Sequence, residues 1–503
     1  MSLATGQRSL GDRAVHYPLW PPLTSGCPRT STAEADYPLE VDYDYDRVPS
    51  DLFRPAVGSG LDRWAPLLPP LLASGLGEGG TPLIELEPGV FVKDESRNPT
   101  WSHKDRLNRC TVSAAVGVGA PGVVVASSGN HGLSASAFAA RAGLRSVIIT
   151  GPVAPAFLQT HGAVVLPVPW EARWPLMRQI VDRCGLHPVS NLTATHTGHP
   201  FGPEGYKTIA YEIAAEIGTP AAVFVPTGYA ELLFGIGKGF AELRRLGLAD
   251  RVPQLVACEP AAAAPLTRAL RYDQPTAVVE VGQTDAFSII SAVSGYRGVV
   301  AVRESGGAAL ALTDDQLRAA HAELARAGIW AELSSAAGLA GLRSVQSGDG
   351  AGLGALDGPV VCISTSTGLK NWTARPSDGR QQTGDRRGAG RRQDDQWRAD
   401  QWSSGDERLR GEERLRGEER LRGEERQEAD KRRQGGQWPD GGPRVAEQRW
   451  SREGSEAELP EEGHEVSGRR WSAERPGDGA FVEPVGTEWA DIRRRLEEGG
   501  LVS

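Results

Sequence analysis

Lys104 sits in the stretch WSHKDRLNR (residues 101–109), directly after Asn98, Pro99 and Thr100. A lysine taken alone is a solvated surface charge. Withdrawn from water, its amine becomes a base or a nucleophile. Which of these it is depends on its company, and three short stretches supply candidates. SSGNHG (127–132) combines small hydroxyl residues with glycines, between a strand-like run and a helical pattern. Backbone N–H groups at such a turn can approach an anion, the helix dipole adds to the attraction, and the amide of Asn130 can donate as well. The same stretch also reads as an ordinary turn capped by Ser or Asn. PTGYAE (226–231) repeats the arrangement, with Thr227, Gly228, Tyr229 and Ala230 as a second anion cradle. STSTG (364–368) brings the hydroxyls of Ser364, Thr365, Ser366 and Thr367 to the end of the last strand-like run.

These loops need elements to hold them. GVVVA (122–126) is a β-branched run that ends at a turn, as a buried strand does; 146–150, 163–168, 221–228, 253–260 and 358–365 read the same way. Helical patterns separate them at 132–143, 170–184, 204–217, 231–246 and 314–327. Alternating strands and helices predict an α/β fold with parallel sheets covered on both faces. In such sheets the ligand lies beyond the carboxyl ends of the strands, where all three loops fall.

The formal charge of -9 over 503 residues argues against a nucleic-acid-binding surface across the whole molecule. Five scattered cysteines show no CxxC spacing, so neither zinc nor a disulfide framework is expected, and a reducing cytoplasm fits. The first twenty residues lack the apolar core of a secretion signal. No apolar run reaches the roughly 20 residues of a membrane crossing. The expectation is a cytoplasmic protein with no membrane or nucleic-acid partner.

The composition changes near Lys370. All cysteines and tyrosines lie before it, and Ile492 is the only isoleucine after it. A segment so rich in charge, Gln and Gly buries too little apolar surface to offset its ordering entropy. Residues 406–426 repeat every six residues, which matches neither the helix nor the heptad. Seven of the thirteen tryptophans also lie beyond Lys370, odd for a disordered tail, so two readings stand: a flexible extension, or a GC-rich coding stretch read out of frame. The expected organisation is an N-terminal extension (1–50), a catalytic region of two interleaved α/β domains (51–370, the smaller at roughly 112–200), and a disordered low-complexity tail (371–503).

An amine, an amide, a phosphate cradle and a hydroxyl are what pyridoxal phosphate requires. At this point the motifs resemble one family in order and spacing. NPTWSHKDR (98–106) resembles the NPTGSFKDR of threonine synthase, and SSGNHG its asparagine loop. GPEGYKTIAYEIAAEIG (202–218) resembles its EGxKTxAxEI segment, GIWAELSSAAGLAGL (328–342) its EPSSAAALAGL stretch, and CISTSTGLK (362–370) its final TGxGLK motif. Over roughly residues 37–370 the chain is thus identified as a fold-type II pyridoxal-phosphate enzyme of the tryptophan synthase β superfamily, nearest threonine synthase. The resemblance implies two open, mostly parallel sheets flanked by helices, with the cofactor in the cleft between them. It implies Lys104 as the Schiff-base lysine and proton carrier, Asn130 at the cofactor's 3-hydroxyl and Thr365 at its pyridine nitrogen. Thr227, Gly228, Tyr229 and Ala230 would hold the phosphate. Ser127, Ser128 and His131 would lie near the substrate carboxylate, and Lys207 would bind a substrate phosphate or cap a helix. The implied reaction converts O-phosphohomoserine and water to threonine and phosphate. The partner is then a small amino-acid substrate, with a homodimer by analogy.

Several residues depart from that pattern. The loop TGYAE holds one glycine where the family runs GNGGN, and Glu231, which would repel a phosphate, is expected to point away. His103 replaces a Phe, read as a packing change, with tuning of Lys104 as the alternative. Arg106 reads as an anchor for the lysine loop. Some members carry a cysteine-rich zinc ribbon near the N-terminus where only Cys27 remains here, so no metal is expected. The family also continues past GLK with a closing helix that is expected to be missing here, which would leave an apolar surface bare. Two alternatives therefore stand: a serine/threonine dehydratase or other β-eliminating lyase, and a catalytically inactive relative with an altered phosphate loop and truncated C-terminus.

Overall fold

The computed structural model describes residues 1–54, 60–127, 129–152, 154–348, 352–371, 481–482 and 485–502. A small antiparallel sheet opens the chain: β1 (Ala4–Ser9), β2 (His16–Tyr17) and β3 (Leu39–Tyr43), in the order β2-β1-β3. Residues 1–50, expected as an extension, are packed into the body: Leu10, Val41 and Tyr43 join the core cluster of Tyr206 and Phe234.

The larger sheet has six strands. They are β4 (Leu83–Glu87), β5 (Val90–Asp94), β11 (Ala222–Pro226), β12 (Gln254–Pro260), β13 (Ala308–Leu312) and β14 (Val360–Ser364). Their order is β13-β12-β11-β14-β5-β4, parallel except for the β4–β5 pair. The smaller sheet runs β10-β6-β7-β9, all parallel, from β6 (Gly122–Ala126), β7 (Arg145–Thr150), β9 (Val164–Pro167) and β10 (His187–Pro188). Every residue of β6 and β11 is buried, as strands covered on both faces must be. The expected α/β architecture of two mostly parallel sheets is the one observed.

The helices that frame the site begin at the strand ends: α1 (Lys104–Gly117), α2 (Asn130–Arg141), α3 (Arg173–Cys184) and α6 (Glu231–Arg245). The helix expected over 204–217 is broken at Lys207 into α4 (Gly202–Tyr206) and α5 (Thr208–Ile217). Later helices are α7 (Pro265–Arg271), α8 (Tyr296–Ser305), α9 (Asp314–Arg326) and α10 (Ala337–Gln346).

One buried guanidinium fixes α1. Arg106 Nε meets Glu95 Oε2 at 2.7 Å, and its two terminal nitrogens meet Glu212 of α5 at 2.6 and 2.7 Å. The fork geometry suits two carboxylates at once. Arg106 thus anchors the lysine loop. Replacing it by lysine is expected to cost about 2 kcal/mol of stability, because a charge-assisted pair is lost; urea unfolding reads this directly.

The chain end overturns one expectation. Residues 372–480 lie outside the described residues. Beyond them β15 (Phe481–Val482) pairs antiparallel with β8 (Ala154–Pro155), and Val485 donates its N–H to the Pro167 carbonyl. Then α11 (Trp489–Glu498) follows, with Ile492 and Leu496 wholly buried against Val147 and Leu166 of the smaller sheet and Ile180 of α3. Trp489 lies under the Arg183 guanidinium at 4.4 Å. The closing helix expected to be missing is therefore present, and the tail's last residues are structured. Its i, i+4 pair of Ile492 and Leu496 offers one apolar stripe, which is what a helix needs to dock on a sheet.

Candidate active site

Lys104 is the first residue of α1, set at the ends of β5 and β14. The backbone N–H of His103 bonds the Thr365 carbonyl at 2.9 Å, and Ser102 bridges Ser366, so the lysine turn is tied to the loop after β14. Asp105 ties it to α2: it accepts the N–H of Thr100 at 2.6 Å and the hydroxyl of Ser134 at 2.6 Å. Burial pushes the Asp105 carboxyl up to about 6.

The Lys104 side chain keeps some accessible surface, but interior atoms enclose it. Its ammonium donates to the Tyr206 hydroxyl at 3.1 Å, and no carboxylate among the described residues lies within ion-pairing distance. Burial therefore lowers its pKa, opposed in part by Glu231 and Glu332 further off. Tyr206 is fully buried and its phenol is pushed well above its usual range, so it stays neutral. His103 donates from Nδ1 to Thr365 O at 3.1 Å and faces the Tyr206 ring. Burial and the adjacent Lys104 keep it uncharged.

Several of the other nominated residues gather around the same lysine turn. Ser127 leads into α2, and its hydroxyl accepts the N–H of Gly129 and Gly132. It therefore does the capping that an ordinary turn would need. Ser128 lies outside the described residues. His131 pairs with the Val189 carbonyl and leaves a buried Nε2 without a partner among the described residues; burial and Lys104 keep it neutral. Asn130 donates to Glu332 at 3.1 Å and accepts from Ser366 and Lys370 at 3.1 and 2.6 Å. Thr365 is buried, its hydroxyl 2.8 Å from that of Ser335.

Thr227 to Ala230 join β11 to α6. Thr227 bonds the Cys258 and Val225 carbonyls, and Ala230 adopts a left-handed φ of 61°. Gly228 has little room for a side chain, because a Cβ there would meet the Ile289 carbonyl at 3.2 Å. No side-chain cap closes the start of α6, which leaves its first N–H groups without intrahelical partners. Tyr229 does not face that N-terminus with its hydroxyl. Its ring stacks on His196 at 3.9 Å, its hydroxyl meets Ser291, and it borders a cavity of about 270 Å³ with Trp174, Arg178 and Thr193. A larger hollow of about 320 Å³ lies along α6 at Lys238 and Glu242, and no nominated residue lines it.

Two expectations fail here. Glu231 was expected to point away. Instead its carboxylate is buried over Gly198, where a Cβ would strike it, and it faces Lys104 and Arg297. The N-terminus of α6 attracts an acidic residue at that position, and burial raises the pKa of its carboxyl. Lys207 was expected to bind a substrate phosphate or to cap a helix; it stands at the start of α5 but makes no side-chain cap there. It is instead fully buried between Glu204 and Glu242, at 2.8 and 2.9 Å, beneath the Tyr43 ring. Two carboxylates hold a buried ammonium too well for it to reach into the cleft.

Three site residues went unassigned in the sequence: Tyr206, Glu332 and Lys370. Each lies inside a quoted motif (GYKT, AELSS, GLK), so position in the motif was the available signal. Among the described residues no group of His, Cys, Asp or Glu could hold a metal ion, and no helix is long and apolar enough to cross a membrane.

Pyridoxal phosphate fits these groups. A desolvated amine without an ion pair, an amide with one N–H to spare, an uncapped helix N-terminus and an orphaned imidazole nitrogen share one cleft. Known proteins agree. The family model "Pyridoxal-phosphate dependent enzyme" matches residues 75–366. Threonine synthase of Methanosarcina acetivorans is 31% identical over 371 residues, covering 67% of this chain and 87% of that protein. Threonine synthase of Mycobacterium leprae is 33% identical over 328 residues, covering 62% and 85%. Among solved structures, the L-serine ammonia-lyase of Rhizomucor miehei has the same fold, with a TM-score of 0.50, 23% identity, and coverage of 57% of this chain and 93% of that one. The chain belongs to the pyridoxal-phosphate dependent enzyme family, as a fold-type II member related to threonine synthase.

Proposed function

We propose that this protein is an amino-acid lyase of threonine-synthase type, acting on O-phosphohomoserine and water to give threonine and phosphate. The observation that carries the reading is Lys104: an amine enclosed at the ends of β5 and β14, paired only with a neutral phenol. The names of the relatives supply the product, threonine, and the resemblance of the motifs to that family supplies the substrate.

Lys104 Nζ would hold the cofactor and then move the α-proton of the substrate. The cofactor, once bound, supplies an electron sink for the carbanion that this leaves. The lowered pKa of Lys104 keeps a larger share of its amine unprotonated and ready to take a proton. Tyr206 receives the Lys104 hydrogen bond and aims the amine without contributing a charge. The N–H groups of Gly228 to Glu231 at the start of α6 would hold the cofactor phosphate, with the buried Glu231 carboxyl biased toward its uncharged form and so repelling it less. Thr365 would offer an uncharged hydroxyl to the ring nitrogen, and Asn130 an N–H to the 3-oxygen. Ser127 shapes the loop that receives the substrate carboxylate, beside the neutral His131.

Deamination of serine or threonine is a second reading, and the pairing of Lys207 with Glu204 and Glu242 favours it by removing one cation from the service of a substrate phosphate. Purified protein loaded with pyridoxal phosphate separates the two. Phosphate and threonine should appear from O-phosphohomoserine, with little ammonia from serine or threonine. Ammonia release without phosphate release would overturn the first reading in favour of the second. Failure to bind the cofactor would overturn both.

A further inference from the structure

Lys370 ends the GLK motif and has no role in the reaction described above. It stands at the edge of the cleft, mostly enclosed, with its Nζ 2.6 Å from Asn130 Oδ1. On the other side of the same amide, Asn130 Nδ2 donates to Glu332 Oε2 at 3.1 Å. An ammonium on one end and a carboxylate on the other allow only one orientation of the carboxamide, since its flip would set N–H against N–H and oxygen against oxygen. Ser366, also within reach of the Trp101 carbonyl, lies 3.1 Å from the same Oδ1. Asn130 Oδ1 is thus held by the protein, and one of the two Nδ2 hydrogens is held by Glu332. A single N–H remains.

We propose that Lys370 is a positioning residue: it locks the Asn130 amide so that this last N–H faces the cofactor's 3-oxygen, and its charge strengthens that donor and favours negative charge on the oxygen. The proposal rests on the cofactor site described above. The other charged or titratable groups facing Lys370 are Glu332, Asp105 and His103, and His103 is neutral. Burial pulls the ammonium down to about 8, opposed by Glu332 and Asp105, which leaves it charged at neutral pH. A charge donated through a polarised amide is stronger in a low-dielectric cleft than in water.

The test reads the bound cofactor's spectrum, which depends on the charge at its 3-oxygen. Holoenzyme of the parent, Lys370→Met, Lys370→Gln and Lys370→Arg is prepared, and borohydride reduction with peptide mass spectrometry locates the pyridoxyl group. With pyridoxyl on Lys104 throughout, the ratio of visible to near-ultraviolet absorption at fixed pH should fall roughly threefold to tenfold in K370M and K370Q. K370R, which keeps the charge, should retain the parent ratio. A merely structural lysine would leave the ratio unchanged in every variant that loads cofactor. K370Q with the parent's ratio therefore overturns the proposal, and this comparison with K370R decides the matter even where K370M fails to fold. No pyridoxyl on the parent's Lys104 would overturn the cofactor site and this inference with it. Pyridoxyl on Lys370 would overturn the roles given to both lysines.

Discussion

Replacing Lys104 by alanine is expected to abolish turnover, with a loss of about 10³-fold or more. Borohydride should then fix no pyridoxyl group to the chain. The fold should survive. Lys104 makes no ion pair among the described residues, and its one hydrogen bond goes to Tyr206. Withdrawing an ammonium from water without a partner costs stability, so the thermal midpoint should hold or rise. The anchors of the turn are elsewhere: His103 to Thr365, Asp105 to Thr100 and Ser134, and Arg106 to Glu95 and Glu212. Activity and thermal unfolding measured together separate a chemical loss from a structural one. A K104A enzyme with more than a tenth of the parent's rate would sink the assignment.

The second large effect concerns stability. Ile492→Asp should destabilise the smaller domain by about 5 kcal/mol, because a carboxylate would enter a dry cluster with no partner. Ile492 has no exposed surface and packs with Val147, Leu166, Ile180 and Leu496. Ile492→Val should cost only about 1 kcal/mol, the price of a methyl group. Limited proteolysis of the smaller domain and urea unfolding both report the difference. If I492D unfolds at the parent's urea midpoint, α11 is not part of the domain's core.

The fold was legible where strands were β-branched and closed by turns. GVVVA at 122–126 coincides with β6, and the helix expected from 231 begins there. β13 escaped because AALAL is alanine-rich and alanine favours helices; its place beside β12 is decided by tertiary pairing. β10 is too short to show any period. In the site, Lys104, Asn130, Ser127, His131 and Thr365 were nominated from the family's motifs, and the fold places them at strand ends or the first turns of α1 and α2. Lys207 was misjudged because its partners Glu204 and Glu242 lie on two different helices, and only the folded chain brings them to one ammonium. Glu231 was misjudged for a related reason, since the space over Gly198 that receives it belongs to another loop. α11 was hidden by the composition around it, although the lone isoleucine beyond Lys370 marked the place.

That helix has a consequence for the order of assembly. A chain leaves the ribosome from its N-terminus, and domains generally fold as units as they emerge. Here β6, β7, β9 and α3 are synthesised early, while the strand and helix that pack onto them come only from residue 481 onward. The nascent smaller sheet must wait with Val147, Leu166 and Ile180 unshielded until residues 481–502 are released. Closing so long a loop costs entropy before any contact repays it. A chain interrupted before α11 therefore carries the whole chemical constellation around Lys104 beside a sheet left open on one face.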